Sequence, residues 1–404
     1  TTSANFAIQS GTNYTNPPST SSASYCIGAN GDFYLYGGYE YWTDVNGTKY
    51  YSPAETLWKY NVDNGWSLVV GNPNSLSGGS TTTPGWQINA PLIEFNGSLY
   101  FFPGLITFNG PQNTTTVQSV VYKWDGTNWQ SVKTCATSSA PGLAYRNDAC
   151  LGKVAAGAVV LFNGEVFHYG GVGESSPIKY SASLTRFDGQ NFAAVSSLPA
   201  NTSNYFNSAT TSVSKPGSLN QAASAYNEET RTLFVYGGDN YKSGLFSNLW
   251  KYQDGQWVWL TGSGASSTTK PVYGTQGQES ATVTPGSRMA AAMWCTNGYV
   301  WLFGGRGYDV NGSLGRMSDL FRYNIATGQW AWIKGPKTIS GAGTFGTKGV
   351  AGASNNPPGL SGMRAWKPKV SGNTVYIYGG IASGTNDYHD AVWKFDGVDW
   401  TWTT

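Results

Sequence analysis

Six times along the chain a short apolar run ends in a glycine turn. Tyr34-Leu35-Tyr36 leads to Gly37-Gly38, Tyr100-Phe101-Phe102 to Pro103-Gly104, and Phe167-His168-Tyr169 to Gly170-Gly171. Phe234-Val235-Tyr236 leads to Gly237-Gly238, Trp301-Leu302-Phe303 to Gly304-Gly305, and Tyr376-Ile377-Tyr378 to Gly379-Gly380. The first positions step by 66, 67, 67, 67 and 75 residues. A fixed period of this length marks a repeat architecture, in which each unit buries its apolar faces on its neighbours. The repeat therefore argues for one domain over residues 21–404, although 404 residues is long for a single domain.

A second signature follows each glycine turn after a variable loop: Leu57-Trp58-Lys59-Tyr60, Val121-Tyr122-Lys123-Trp124, Leu184-Thr185-Arg186-Phe187, Leu249-Trp250-Lys251-Tyr252, Leu320-Phe321-Arg322-Tyr323 and Val392-Trp393-Lys394-Phe395. Apolar and basic residues alternate with the period of a half-buried strand. Hairpin turns come next, at Asn64-Gly65, Asp125-Gly126, Asp188-Gly189, Asp254-Gly255, Thr327-Gly328 and Asp396-Gly397. An aromatic residue then opens the last strand: Trp66, Trp129, Phe192, Trp257, Trp330 or Trp400. Trp259, Trp332 and Trp402 follow two places later, on the same side of the strand, where they can staple one sheet to the next. One more apolar run precedes each glycine turn. Four short strands per unit, with no helical periodicity, predict an all-β, six-bladed β-propeller with four antiparallel strands per blade. The blades fall near 21–75, 87–135, 150–200, 220–265, 287–336 and 362–404.

The double glycine after an apolar strand, the spaced aromatic and the final Trp resemble the kelch repeat, over residues 21–404. Pro103 and Phe192 depart from the pattern. Repeats four to six also resemble kelch-like arrays of secreted microbial proteins, in Tyr273-Gly274-Thr275-Gln276-Gly277 and Pro285-Gly286-Ser287-Arg288. Residues 1–20 lie outside the six repeats. Phe6-Ala7-Ile8-Gln9-Ser10-Gly11 reads as a surplus fourth strand, able to close the ring, to add to a neighbouring molecule, or to lie on the surface.

Only 11% of residues are charged, 15% are aromatic and the net charge is +2. This balance, with no run of basic residues, speaks against nucleic acid or an anionic membrane as partner. No stretch approaches the roughly 20 apolar residues of a membrane span. The sequence starts at Thr1 with no Met and no basic-then-apolar signal segment, and a mature form whose signal was removed is the expectation. Six sequons, at Asn13, Asn46, Asn96, Asn113, Asn201 and Asn311, are no more than chance supplies, but all sit in turns or polar loops where a glycan can be carried. Cys135 and Cys150 are expected to form a disulfide closing a short loop, which contributes about 3 kcal/mol in the chain-entropy model. Cys26 and Cys295 read as small buried hydrophobes that never meet. An extracellular or cell-surface location follows.

Kelch-type propellers include copper radical oxidases, which need two His and two Tyr ligands. This chain has two histidines, His168 at a core-facing strand position and His389 in a loop three blades away, so no copper site is expected. Zinc lacks paired Cys/His spacing. Asp44-Val45-Asn46-Gly47 and Asp309-Val310-Asn311-Gly312 begin like calcium loops but lack the downstream acids, and read as tight turns. No nucleophile elbow or phosphate loop occurs. No cofactor, metal or catalytic residue is expected.

Counting back about sixteen residues from each glycine turn reaches Ser21, Gln87, Lys153, Gln221, Arg288 and Arg364, a polar ring predicted at one mouth of the central channel. The kelch resemblance implies ligand binding at such mouths, often through arginines; the alternative is that these side chains satisfy strand-end carbonyls between blades. Tyr39, Tyr41 and Trp42, on the longest loop, can stack on sugars or enter a partner. The sequence thus predicts a non-enzymatic extracellular interaction protein, either a binding module or a repeating subunit of a surface or filamentous assembly. Its partners would be proteins, copies of itself, or glycans. The alternative is a secreted carbohydrate-active enzyme with two carboxylates at the channel mouth.

Overall fold

The computed structural model describes residues 17, 19–21, 23–43, 49–53, 55–71, 84, 90–102, 105–107, 115–117, 120–134, 154–155, 158–162, 165–169, 172–173, 179–180, 184–196, 216, 219–240, 244–263, 268–339, 341–368, 372–383 and 389–403. Residues 1–16, and with them the strand read at Phe6–Gly11, lie outside these ranges.

Among the described residues there are six four-stranded antiparallel sheets and no helix. Sheet one runs Ser24–Ile27, Phe33–Tyr36, Leu57–Asn61 and Gly65–Val70, in that spatial order. The other five repeat this meander, with first strands Leu92–Phe95, Ala158–Phe162, Ala223–Asn227, Ala292–Thr296 and Arg364–Trp366. The apolar run before each glycine turn is the second strand, and the apolar–basic signature is the third. Sequential hairpins follow because Asx-Gly turns join strands whose alternation already fixes which face is apolar. In five sheets a bulge shifts the register at the same place in the third strand, as between Leu57 and Trp58 or Leu320 and Phe321. It sharpens the local twist each time.

Six apolar clusters lie between the sheets. One joins sheets one and two through Cys26, Tyr36, Leu92 and Phe101, and four more continue the series. The sixth packs Phe33, Trp58 and Trp66 of sheet one on Trp366 and Tyr378 of sheet six, so the last sheet meets the first. Phe33 stacks on Trp366 at 4.2 Å between ring centroids. Sheets packed face to face in a closed series make a β-propeller.

The glycine pair sits where neighbouring sheets cross. Gly237 N–H donates to Asn248 O within its own sheet, while Gly238 N–H donates to Arg288 O of the next. A Cβ on Gly237, which has φ +63°, would lie 2.2 Å from Arg288 O. The repeat keeps glycine there because a neighbouring backbone occupies the space of a side chain.

The outermost strands differ. The segment through Gly277 and Ser280 donates to Trp332 O and Trp330 O, and the segment through Gly349 and Gly352 donates to Trp402 O and Trp400 O. Tyr273 packs edge-on against Trp332, and Phe345 against Trp402. Trp259, read from sequence as a third stapling indole, is instead 49% exposed.

Candidate functional site at the channel mouth

Each first strand pairs on one side only among the described strands, so its free edge is left for the interior of the ring. The first strands of sheets one, two, four, five and six line a channel of about 660 Å³. That is the size range of small-molecule sites. Two residues before the strand, Gln221, Ala290 and Gly362 have φ of 52°, 53° and 75° in three successive sheets. Ala290 N–H donates to Gln221 O at 2.8 Å, and Gly362 N–H to Ala290 O at 2.8 Å. A backbone belt thus ties sheets four, five and six at one mouth.

The predicted polar ring does not sit at one level. Pairing with the residue before the glycine turn places Ala223, Ala292 and Arg364 in equivalent positions, opposite Tyr236, Phe303 and Tyr378. Gln221 then belongs to the belt, Arg364 to the first residue of the strand, and Arg288 to a position four residues before it. The first hairpin turns between Thr296 and Tyr299 in sheet five, between Asn227 and Thr232 in sheet four, and between Trp366 and Val375 in sheet six. A fixed count back from the glycines therefore lands at different depths. Ser21 lies in the strand Ser19–Ser21, paired with Tyr39, and Gln87 and Lys153 lie outside the described residues.

Arg288 is buried, at the position held by buried Leu219 and Leu360 in the adjacent sheets. Its guanidinium meets the Asp319 carboxylate at 2.7 and 3.0 Å, donates to Gly304 O at 2.8 Å, and also reaches Pro285 O. Tyr273 Oη donates to the same carboxylate at 2.9 Å. Burial opposes the Arg288 charge, but Asp319 outweighs it and holds the pKa above its ordinary value. Every nitrogen of this guanidinium is engaged within the protein. Its partners Pro285 O, Gly304 O and Asp319 all lie on the segment that enters and forms sheet five, so the side chain is used up within its own repeat.

Arg364 is different. It is half-buried, lines the channel, and lies 4.9 Å over the Tyr25 ring of sheet one. One terminal nitrogen makes a long 3.4 Å contact to Ala23 O, and its buried Nε has no hydrogen-bond partner. Burial pulls its pKa below the ordinary value, and Tyr25 opposes this only in part. A buried guanidinium N–H left without an acceptor costs about 1–3 kcal/mol. The channel acids Glu94, Glu228 and Glu229 lie at the opposite ends of the first strands, and Glu94 already accepts Gly97 N–H at 2.7 Å.

Two arginines near the mouth escaped the sequence reading. Arg306 and Arg316 stand directly opposite each other on the ribbon formed by Arg306–Tyr308 and Leu314–Arg316. No periodic signal marks them, because the loops after the glycines vary. Tyr39, Tyr41 and Trp42, read as loop residues, belong to the strand Tyr39–Thr43, which pairs with Lys49–Pro53 and Ser19–Ser21. The local Tyr/Thr-rich alternation is strand-like.

Asp309 accepts Asn311 N–H and Ser313 N–H on one oxygen and Ile339 N–H on the other. Its carboxylate closes a turn, as the tight-turn reading expects. Among the described residues no group of three or more His, Cys, Asp and Glu is placed to hold a metal. Asn96 and Asn311 are exposed in turns, while Asn13, Asn46, Asn113 and Asn201 lie outside the described residues. So do Cys135 and Cys150. Cys26 and Cys295 are free thiols on different sheets, and burial pushes the Cys295 pKa up to about 12.

His168 is buried where Leu35, Val235, Leu302 and Ile377 stand in other sheets, opposite Thr185. His168 Nε2 and Thr185 Oγ1 both lack a hydrogen-bond partner. Burial lowers the His168 pKa to about 4, so the imidazole is neutral in the fold. An unfolded His takes up its proton near pH 6.5, so stability is lost as pH falls from about 6.5 towards 4, on the order of 3 kcal/mol when complete. His168→Leu is expected to flatten the pH dependence of the urea midpoint across this window, leaving the part due to His389, which burial also lowers to about 4. An unchanged pH dependence in the variant would contradict this assignment.

The chain matches no protein-family profile and no curated protein. Among solved structures it is similar to a protein described as YjhT, at 14% identity and a TM-score of 0.57, over 97% of this chain and 99% of that one. At this identity the likeness concerns the fold, and it agrees with a propeller of four-stranded antiparallel sheets.

Proposed function

We propose that this chain is a six-bladed, kelch-type propeller that acts as a non-enzymatic binding module outside the cell or on its surface, holding a small ligand at the channel mouth. The observation that carries this reading is Arg364, a half-buried cation over Tyr25 with an unanswered Nε–H, facing a channel of small-molecule size. The six sheets and the glycine pairs in register support the blade count and the kelch assignment. Low charge and the exposed sequon residues Asn96 and Asn311 support the location.

The test is a small-molecule and oligosaccharide library screened by saturation-transfer NMR against the wild type, Arg364→Gln and, as a far-end control, Lys367→Gln. Removing one charge-assisted contact is expected to weaken mouth ligands about 10–100-fold, while Lys367→Gln leaves them bound. Ligands bound equally by all three proteins would overturn the mouth as the site.

A further inference from the structure

The chain that leads into each of sheets five and six also covers that sheet's outer edge. Gly277 N–H and Ser280 N–H donate to Trp332 O and Trp330 O at 2.7 and 3.0 Å. Gly349 N–H and Gly352 N–H donate to Trp402 O and Trp400 O at 2.8 and 3.3 Å. The spacing is the same in both. The donors stand 15 and 12 residues before Ala292 and before Arg364, the equivalent first-strand residues, and the aromatics Tyr273 and Phe345 stand 19 before. Each segment then passes a buried proline seven residues ahead of the strand, Pro285 or Pro357, and pairs with the ribbon beyond that sheet's glycines.

Sheet one has the same approach and the same edge. Ser24, opposite Tyr36, is its equivalent first-strand residue. Pro17 is buried seven residues ahead, and Ser19–Ser21 pairs with Tyr39, Glu40 and Tyr41 beyond Gly37-Gly38. At the outer edge Tyr60 pairs with Trp66 and Trp58 with Leu68, as Tyr323 pairs with Trp330 and Phe321 with Trp332. The carbonyls of Trp66 and Leu68 thus hold the places of Trp330 O and Trp332 O. Gly65–Val70 pairs only with Leu57–Asn61 among the described strands, and Leu68 and Val69 are 40% and 37% exposed on it. An apolar edge strand of this kind is an adhesive surface that proteins cover.

We propose that the outer edge of sheet one is a strand-addition site for residues 1–16 of the same chain. The shared spacing puts Gln9 and Thr12 at the two donor positions, with backbone N–H groups for Leu68 O and Trp66 O. Phe6 falls within one residue of the place held by Tyr273 and Phe345, an aromatic for the exposed Leu68. The reach from Pro17 equals the reach from Pro285 and Pro357, so the tether needs no extra length. A segment tethered this close meets its own edge at an effective concentration of about millimolar, ahead of any neighbouring molecule. The surplus strand therefore guards sheet one instead of linking copies.

Hydrogen exchange of the whole chain, followed by mass spectrometry at two protein concentrations, tests the proposal without any substitution. Amides around Gln9 and Thr12 are expected to exchange about 100-fold or more slowly than in a free peptide, equally at both concentrations. Exchange at the free-peptide rate overturns the proposal, and protection that appears only at the higher concentration assigns the segment to a neighbouring molecule and overturns it too. The place of docking is read by putting the photo-crosslinker p-benzoylphenylalanine at exposed position 68. Irradiation of dilute protein should join position 68 to residues 6–13 of the same chain. A product that links two chains, or no product with residues 1–16, overturns the proposal. Deletion of residues 1–16 should bare the edge, and analytical ultracentrifugation should then show self-association that the intact chain lacks. A deletion variant as monomeric as the intact chain would contradict the guarding role.

Discussion

Asp319→Ala is expected to destabilise the protein by about 3–5 kcal/mol, the cost of stranding a buried guanidinium without its carboxylate. Arg288 and Asp319 are both essentially inaccessible, at 1% and 0% side-chain exposure. The adjacent sheet shows what replaces the pair without charge: Leu360 at the Arg288 position and Ala391 at the Asp319 position, both buried. Arg288→Leu combined with Asp319→Ala is therefore expected to recover most of the loss, since apolar replacements of buried ion pairs are often neutral or stabilising. Urea denaturation of the two single variants and the double variant gives the coupling. A cost below about 1 kcal/mol for Asp319→Ala, or a double variant no better than the single, would show that the pair does not brace sheet five. Arg288 would then return to the list of ligand candidates.

Gly237→Ala should be nearly as costly. Its φ of +63° opposes a side chain by about 1–2 kcal/mol. The added Cβ meets the Arg288 carbonyl at 2.2 Å and the Phe246 carbonyl at 3.1 Å, both backbone atoms with no rotamer to yield. Overpacking of this kind adds about 1–3 kcal/mol. Relief requires parting sheets four and five, which strains the bonds from Gly238 N–H to Arg288 O and from Arg288 N–H to Phe246 O. Gly304→Ala should cost less, because its nearest neighbour is the flexible Met363 Cε at 2.8 Å and the carbonyls stand at 3.0 Å. Thermal unfolding should rank Gly237→Ala below Gly304→Ala and both below wild type. A Gly237→Ala midpoint equal to wild type would deny the glycine pair its role at the sheet crossing.

The strands were legible because their signals are local. Alternation in Leu249-Trp250-Lys251-Tyr252 and the Asp254-Gly255 turn fix a hairpin within a few residues, and the glycine period repeats it around the ring. The mouth was only partly legible. Gln221, Arg288 and Arg364 look equivalent when counted from the glycines, yet the first hairpin differs in length between sheets and separates them. The role of Arg288 depends on Asp319, 31 residues away just before the third strand of sheet five, which the count never consulted. Trp259, Trp332 and Trp402 are alike in sequence. What covers Trp332 and Trp402 is Tyr273 and Phe345 from long connecting segments, a relation no local pattern encodes; residues 197–215, from the corresponding segment before sheet four, lie outside the described residues, and Trp259 is 49% exposed. Arg306 and Arg316 became a pair only through the ribbon that the variable loops build.

The most direct test of the binding-module account is a crystal structure of the protein soaked with the tightest ligand from the library screen. The account predicts ligand density in the central channel, within hydrogen-bond distance of the Arg364 guanidinium and in contact with Tyr25. Density confined to the outer strands or the connecting segments, with the channel mouth unchanged, would contradict it.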